Sequence, residues 1–131
     1  MAAAESYPDD LKYHEEHDWA RLENDEAVLG ITWFAADALG ELVHFEPPES
    51  GSTVTKDQSY GEVESVKAVS DLIAPLSGEV LAVNQQVVDA PETVNEDPYG
   101  NGWLIRIRLS DPGEADALLA AGAYRELLAN Q

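Results

Sequence analysis

Lys67 sits at the centre of Gly61-Glu62-Val63-Glu64-Ser65-Val66-Lys67-Ala68-Val69-Ser70-Asp71, midway between the β-type runs Tyr60 to Val66 and Leu72 to Ala74. That placement predicts the tip of a hairpin, with the amine projecting into solvent. No other lysine or arginine occurs between Lys56 and Arg106, so no nearby cation competes for an enzyme that must find one amine. A protruding lysine on a rigid turn suits acylation, because a long attached arm then swings from a fixed pivot. By spacing alone, an ordinary turn lysine is the commoner explanation.

Other chemistry-bearing residues form no convincing site. His14-Glu15-Glu16-His17 places its histidines three apart, whereas the helical zinc-protease motif needs His-Glu-x-x-His. His44 is a lone histidine in a β-type run, more often a packing or surface residue than a catalyst. Ser65 and Ser70 flank the lysine without a plausible base and read as turn or ladder residues. Gly100-Asn101-Gly102 lacks the strand-to-helix setting of a phosphate loop and reads as a turn. No catalytic residue and no metal ligand is assigned.

The elements that must position Lys67 are short. After a loose start over about residues 1–8, Tyr13 to Glu23 mixes aromatic and charged residues and leads into Ala27-Val28-Leu29-Gly30-Ile31, a buried strand. Thr32 can cap a short helix over Trp33 to Leu39, closed by Gly40 in a left-handed conformation. Leu42 to Phe45 resumes an extended pattern that Pro47-Pro48 stops. From Gly51 to Ile107 the chain reads as short β-type runs, among them Glu79 to Val83 and Trp103 to Leu109, separated by turn residues. Pro48 to Val54 loosely echoes Pro75 to Leu81, as though two similar halves flank Lys67. Asp111 with Pro112 and Glu114 starts a C-terminal helix, apolar at Leu118, Leu119, Leu127 and Leu128 and interrupted near Gly122.

The composition narrows the partners. With 131 residues, 44% hydrophobic content and three tryptophans, the chain fits one packed domain over 1–131. Its 26 acidic against 7 basic residues give a net charge of -19, which repels nucleic acid and anionic membrane surfaces. With no cysteine there is neither a disulfide framework nor a thiol nucleophile, so any redox sulfur must be imported. The opening residues lack a secretion signal and no apolar stretch is long enough to span a membrane, which leads to the expectation of a cytoplasmic protein.

The stretch Glu64-Ser65-Val66-Lys67-Ala68-Val69-Ser70-Asp71 resembles the lipoylation site of the glycine cleavage system H protein family. The likeness extends to Tyr13, His17-Asp18-Trp19 and Gly30-Ile31-Thr32 upstream. Downstream it takes in Ala74 to Val80, Val94 to Gly100, Gly102 to Ile105 and Ala123-Tyr124. It implies a mainly β, hybrid-motif sandwich like that of lipoyl domains, a flattened barrel with the short helix at 33–39 and a C-terminal helix. It further implies lipoate on Lys67, with Glu64, Ser65, Val66 and Ala68 as the attachment motif. Such a chain is a carrier and not an enzyme. It takes the aminomethyl group of glycine from glycine decarboxylase (P protein) to aminomethyltransferase (T protein) and is reoxidised by dihydrolipoyl dehydrogenase (L protein). A lipoate ligase or an octanoyl/lipoyl transferase would load it.

The family shelters the loaded arm in a surface cleft, and Asp18 and Asp71 match its acidic members. Either carboxylate is expected to pair with the loaded ammonium; a turn or capping aspartate is the plainer account of each. Trp33-Phe34 and Ala38 depart from the family's pattern on the cleft wall and partner surface, and an exposed Trp33-Phe34 pair would form a contact patch. A biotinyl carrier usually flanks its lysine with methionines, whereas Val66 and Ala68 stand here. A lipoyl domain of a 2-oxoacid dehydrogenase would lack the Asn95 to Gly100 signature and the closing helix. A lipoyl or octanoyl donor to other carriers, and a non-carrier acidic adaptor, complete the alternatives.

Overall fold

The run Ala27 to Ile31 is apolar at every position because both of its faces are covered. In the computed structural model, which describes residues 2–131, Ala27, Leu29 and Ile31 point into the main core. Val28, on the opposite face, joins Tyr7, Leu11, Tyr13, Trp19, Ala121 and Tyr124 in a second cluster. Side chains alternate along a strand, so one segment can serve both layers only if it is hydrophobic throughout.

The strands are β1 (Lys12–Tyr13), β2 (Asp18–Glu23), β3 (Glu26–Ile31), β4 (Leu42–Glu46), β5 (Thr53–Val54), β6 (Ser59–Ser65), β7 (Val69–Ile73), β8 (Gly78–Val83) and β9 (Ile105–Leu109). They form a six-stranded antiparallel sheet, β1-β2-β3-β9-β8-β5, and a three-stranded sheet, β4-β6-β7. The two face each other as a flattened sandwich that does not close, the expected architecture. Leu42, Phe45, Val63 and Leu72 of the smaller sheet meet Leu29, Ile105 and Ile107 of the larger in the main core. Along β6 the burial phase changes once: Tyr60 and Val63 are both buried although three residues apart. The cause is a bulge, since pairing with β7 jumps from Ser59↔Ile73 to Gly61↔Leu72. The echoing segments around Gly51 and Gly78 lie side by side, with Thr53 opposite Glu79 and Val54 opposite Gly78.

Helix α1 spans Trp33–Leu39 as its sequence predicts, with Thr32 Oγ1 accepting from Ala35 N–H, a cap worth about 1 kcal/mol. Gly40 ends it at φ 83° and ψ -167°. This is not the left-handed helical cap expected but an extended positive-φ conformation, which other residues adopt only at a cost.

Further readings of the sequence need correction. Within the segment read as β-type runs, α2 (Gln85–Asp89) and α3 (Thr93–Glu96) form; each is too short to display a helical period, and each anchors through one or two buried side chains, Val87 in α2, Thr93 and Val94 in α3. The strand begun at Trp103 starts at Ile105. The C-terminal segment splits into a 3₁₀ helix, Pro112–Ala117, and α4, Ala121–Ala129, with the break at Leu118–Ala120 and not at Gly122. Leu119 exchanges two 2.8 Å backbone hydrogen bonds with Tyr13, which commits that stretch to a bridge and forbids helix there. The segment expected to be loose is also tied down at Ala3, whose N–H donates to Asn95 O and whose O accepts from Trp33 Nε1.

Candidate functional site

Strands β6 and β7 meet in a turn whose geometry is set by one side chain. Ser65 is buried, at 4% exposure; its N–H donates to Ala68 O at 2.8 Å, and its Oγ accepts from Lys67 N–H at 3.3 Å and Ala68 N–H at 3.2 Å. A hydroxyl that satisfies two turn amides fixes the loop without needing a positive φ. The turn ejects its neighbours: Glu64, Val66, Lys67 and Ala68 are exposed, Val66 at 85%.

Among the described residues, none offers Lys67 Nζ a hydrogen bond or ion pair, whereas Lys56 Nζ lies 3.2 Å from Asp57. The predicted attachment motif is thus gathered on one protruding tip, with Ser65 as its internal brace and Lys67 as its free amine. Exposed Val43 and Val69 lie on the flanking strands.

A cleft of about 560 Å³ lies along β7, lined by His14, Glu15, Glu16, Asp57, Ser70, Asp71 and Ile73. Asp71, exposed and four residues beyond Lys67, is part of this wall. Asp18 does not line the cleft. It is 2% exposed and lies behind it, accepting from Tyr60 O–H at 3.3 Å and from the backbone N–H of Ile73, itself a wall residue. Burial pushes the Asp18 carboxyl well above the usual carboxylate range, against the pull of those two hydrogen bonds. The same burial, with the Asp18 charge beside it, raises the Tyr60 phenol.

His14 and Asp57 join the cleft although no local pattern pairs residues 43 apart. His14 Nδ1 accepts from Glu16 N–H at 2.9 Å, which leaves Nε2 to donate to Asp57 Oδ1 at 2.6 Å. That bond, with help from Lys56, lowers the exposed Asp57 carboxyl. His17 turns away, its Nδ1 2.8 Å from Tyr124 O–H and its ring 4.7 Å from that of Phe34; desolvation lowers its pKa. The two histidines therefore serve separate networks, and among the described residues no group of three His, Asp or Glu is placed to hold a metal ion.

Tyr124 O–H also meets Thr32 Oγ1 at 2.8 Å, so α4 supports the residue that caps α1. Trp33 and Phe34 are half-buried beside this cluster and do not stand out as a free patch. A smaller cavity of about 210 Å³ sits between α1 and α3, lined partly by Asp37, Glu41, Glu92 and Asn95. No helix among the described residues is long and apolar enough to cross a membrane.

The sequence profile of the family described as Glycine cleavage H-protein matches residues 11–131. A glycine cleavage system H protein of Synechococcus sp. (strain JA-3-3Ab) is 50% identical over 122 residues, 93% of this chain and 95% of that one. Its counterpart in Myxococcus xanthus (strain DK1622) is 49% identical over 127 residues, 97% and 98% of the two chains. The crystal structure of a glycine cleavage system H protein from Mycobacterium marinum superposes with a TM-score of 0.87 at 41% identity, covering 93% of this chain and 98% of that one.

Proposed function

This chain belongs to the glycine cleavage H-protein family, and we propose that it is the lipoyl carrier of glycine cleavage, with Lys67 as the attachment point. The observation that carries the reading is the Lys67 amine, exposed and without a polar partner, on a turn whose two adjacent amides are held by a buried serine. Such a tip fits a covalently attached acyl group, because the amine is accessible while its pivot is fixed. When bound, lipoate supplies the dithiolane that exchanges an aminomethyl group between glycine decarboxylase and aminomethyltransferase and is reoxidised by dihydrolipoyl dehydrogenase. The protein carries and orients; those partners do the chemistry.

The residues around Lys67 divide the remaining work. Glu64, Val66 and Ala68 present the tip to a lipoate ligase or an octanoyl/lipoyl transferase. Asp71 offers an exposed carboxylate to a positively charged head group in the cleft, and Glu15, Glu16 and Asp57 deepen the negative potential there. Asp18 acts from behind the wall, holding Ile73 and Tyr60 in place and adding its own charge when ionised. The whole chain, residues 1–131, functions as one carrier domain.

Incubation with lipoate ligase, ATP and lipoate, read by intact and peptide-level mass spectrometry, tests the assignment. One lipoyl group on the Lys67 peptide is expected, and none on Lys67→Arg. Attachment at Lys12 or Lys56, or no attachment with an active ligase, would leave an acidic binding module in place of a carrier.

A further inference from the structure

The Lys67 side chain is not free of the body of the protein. Its Cε lies 3.6 Å from where a β-carbon on Gly40 would stand, and no other atom outside the local backbone comes within 4 Å of that point. The aliphatic stem therefore runs over the end of α1, where the backbone is bare because Gly40 has no side chain, its φ of 83° favouring glycine at that position.

What holds that end is Asn95, on α3. Its Nδ2 donates to Gly40 O at 2.9 Å and reaches Ala36 O at 3.5 Å, while its Oδ1 accepts from Leu42 N–H at 2.9 Å. One amide thus joins the end of α1 to the start of β4. Leu42 is the register partner of Ser65, the residue that folds the lysine turn. Asn95 reaches Lys67 by two routes: through Gly40 to the stem, and through Leu42 and Ser65 to the backbone.

We infer that Asn95 is a positioning residue for Lys67, fixing both the shelf under its stem and the base of its hairpin so that the amine is aimed at the enzyme that acylates it. The inference rests on the carrier reading. In the attachment step the neutral amine attacks the carbonyl of the acyl adenylate that the ligase makes from ATP; the C–N bond forms, the bond to AMP breaks and the nitrogen gives up one proton. Such a step needs near-attack alignment, so a shift of the pivot by about 1 Å is felt in the rate. The amide is chemically required. A carboxylate at 95 could still accept from Leu42 N–H but would set negative charge against the carbonyls of Gly40 and Ala36 at a helix C-terminus.

The test compares full-length wild type, Asn95→Asp, Asn95→Ala and Leu109→Ala in initial rates of ligase-catalysed lipoylation. Thermal midpoints are measured alongside, as is acetylation of the Lys67 peptide by a small succinimidyl ester. Leu109 packs on the main core beside Gly78, on a strand that belongs to the larger sheet and is not hydrogen-bonded to β4, so its variant serves as the control for lost stability. Both Asn95 variants are expected to lose roughly tenfold in kcat/KM for lipoylation while the small ester reacts at the wild-type rate, and Leu109→Ala is expected to keep full lipoylation despite a lower midpoint. Wild-type lipoylation of Asn95→Asp, an equal loss in Leu109→Ala, or a parallel loss toward the small ester would overturn the positioning role. Absence of lipoyl on the wild type would instead overturn the carrier reading and the inference with it.

Discussion

Asp18 presents a carboxyl that the fold holds almost out of water, with one phenol and one backbone amide as hydrogen-bond partners. Because burial raises its pKa in the folded state, the native protein binds this proton more tightly than the unfolded chain, whose aspartates titrate near 3.9. Between the two pKa values the native state holds more protons, so this group's contribution to stability falls as pH rises. Replacing Asp18 by Asn removes the titration while keeping an oxygen for Tyr60 O–H. In urea unfolding, the stability of Asp18→Asn relative to wild type should therefore rise steadily from about pH 4 to about pH 7. A gap that stays constant would mean that the carboxyl is not desolvated as the structure places it. Asp57, an acidic residue on the cleft wall that Asp18 only backs, should behave otherwise, since its shift is downward and its side chain is exposed.

At the scale of elements, β2 and β3 are locked together by a close approach between Trp19 and Gly30, which face each other in register. A β-carbon at 30 would fall 2.5 Å from Trp19 Cζ2, while the indole is held by its N–H donating to Pro98 O at 3.1 Å. Gly30→Ala should lower stability by about 1–3 kcal/mol through overpacking and change the near-ultraviolet dichroism of the buried tryptophan. Wild-type stability with an unchanged spectrum would show that the indole moves aside freely. The sequence displays such features unevenly. The strand before Thr32, the Thr32 cap and the lysine hairpin are legible because each is local: an apolar run, a hydroxyl before a helical segment, a turn between two alternating runs. Helices α2 and α3 are not, being only five and four residues long, and neither is the break at Leu118–Ala120, which is dictated by a bridge to Tyr13 far away in the chain. The site divides the same way. The turn that carries Lys67 can be read from its own stretch of chain; the contacts of Asn95, of Tyr60 and of the His14–Asp57 pair are long-range, and no spacing encodes them.

For the molecule as a whole, the net charge of -19 is a standing repulsion. The basic residues are mostly engaged: Arg106 lies 2.7 Å from Glu23 and 3.2 Å from Glu26, Arg108 3.0 Å from Glu79, and Lys56 3.2 Å from Asp57. These pairs are partly or largely exposed, and each contributes at most about 1 kcal/mol. The surplus of carboxylates has no counterpart, so two effects of salt compete: screening weakens a few attractions and many repulsions. Repulsion should dominate, because the excess charge is spread over the surface at distances where the Debye length matters, about 30 Å at 0.01 M and about 10 Å at 0.1 M. Raising sodium chloride across that range is therefore expected to increase the urea midpoint while leaving the denaturant slope unchanged, the sign of added stability without altered compactness. A midpoint that falls with salt would show that the ion pairs around Arg106 and Arg108 outweigh the repulsion, and that the acidic surface is balanced locally despite its total. The expected rise would show that the chain tolerates, at a cost in stability, a negative field strong enough to favour partners with basic faces.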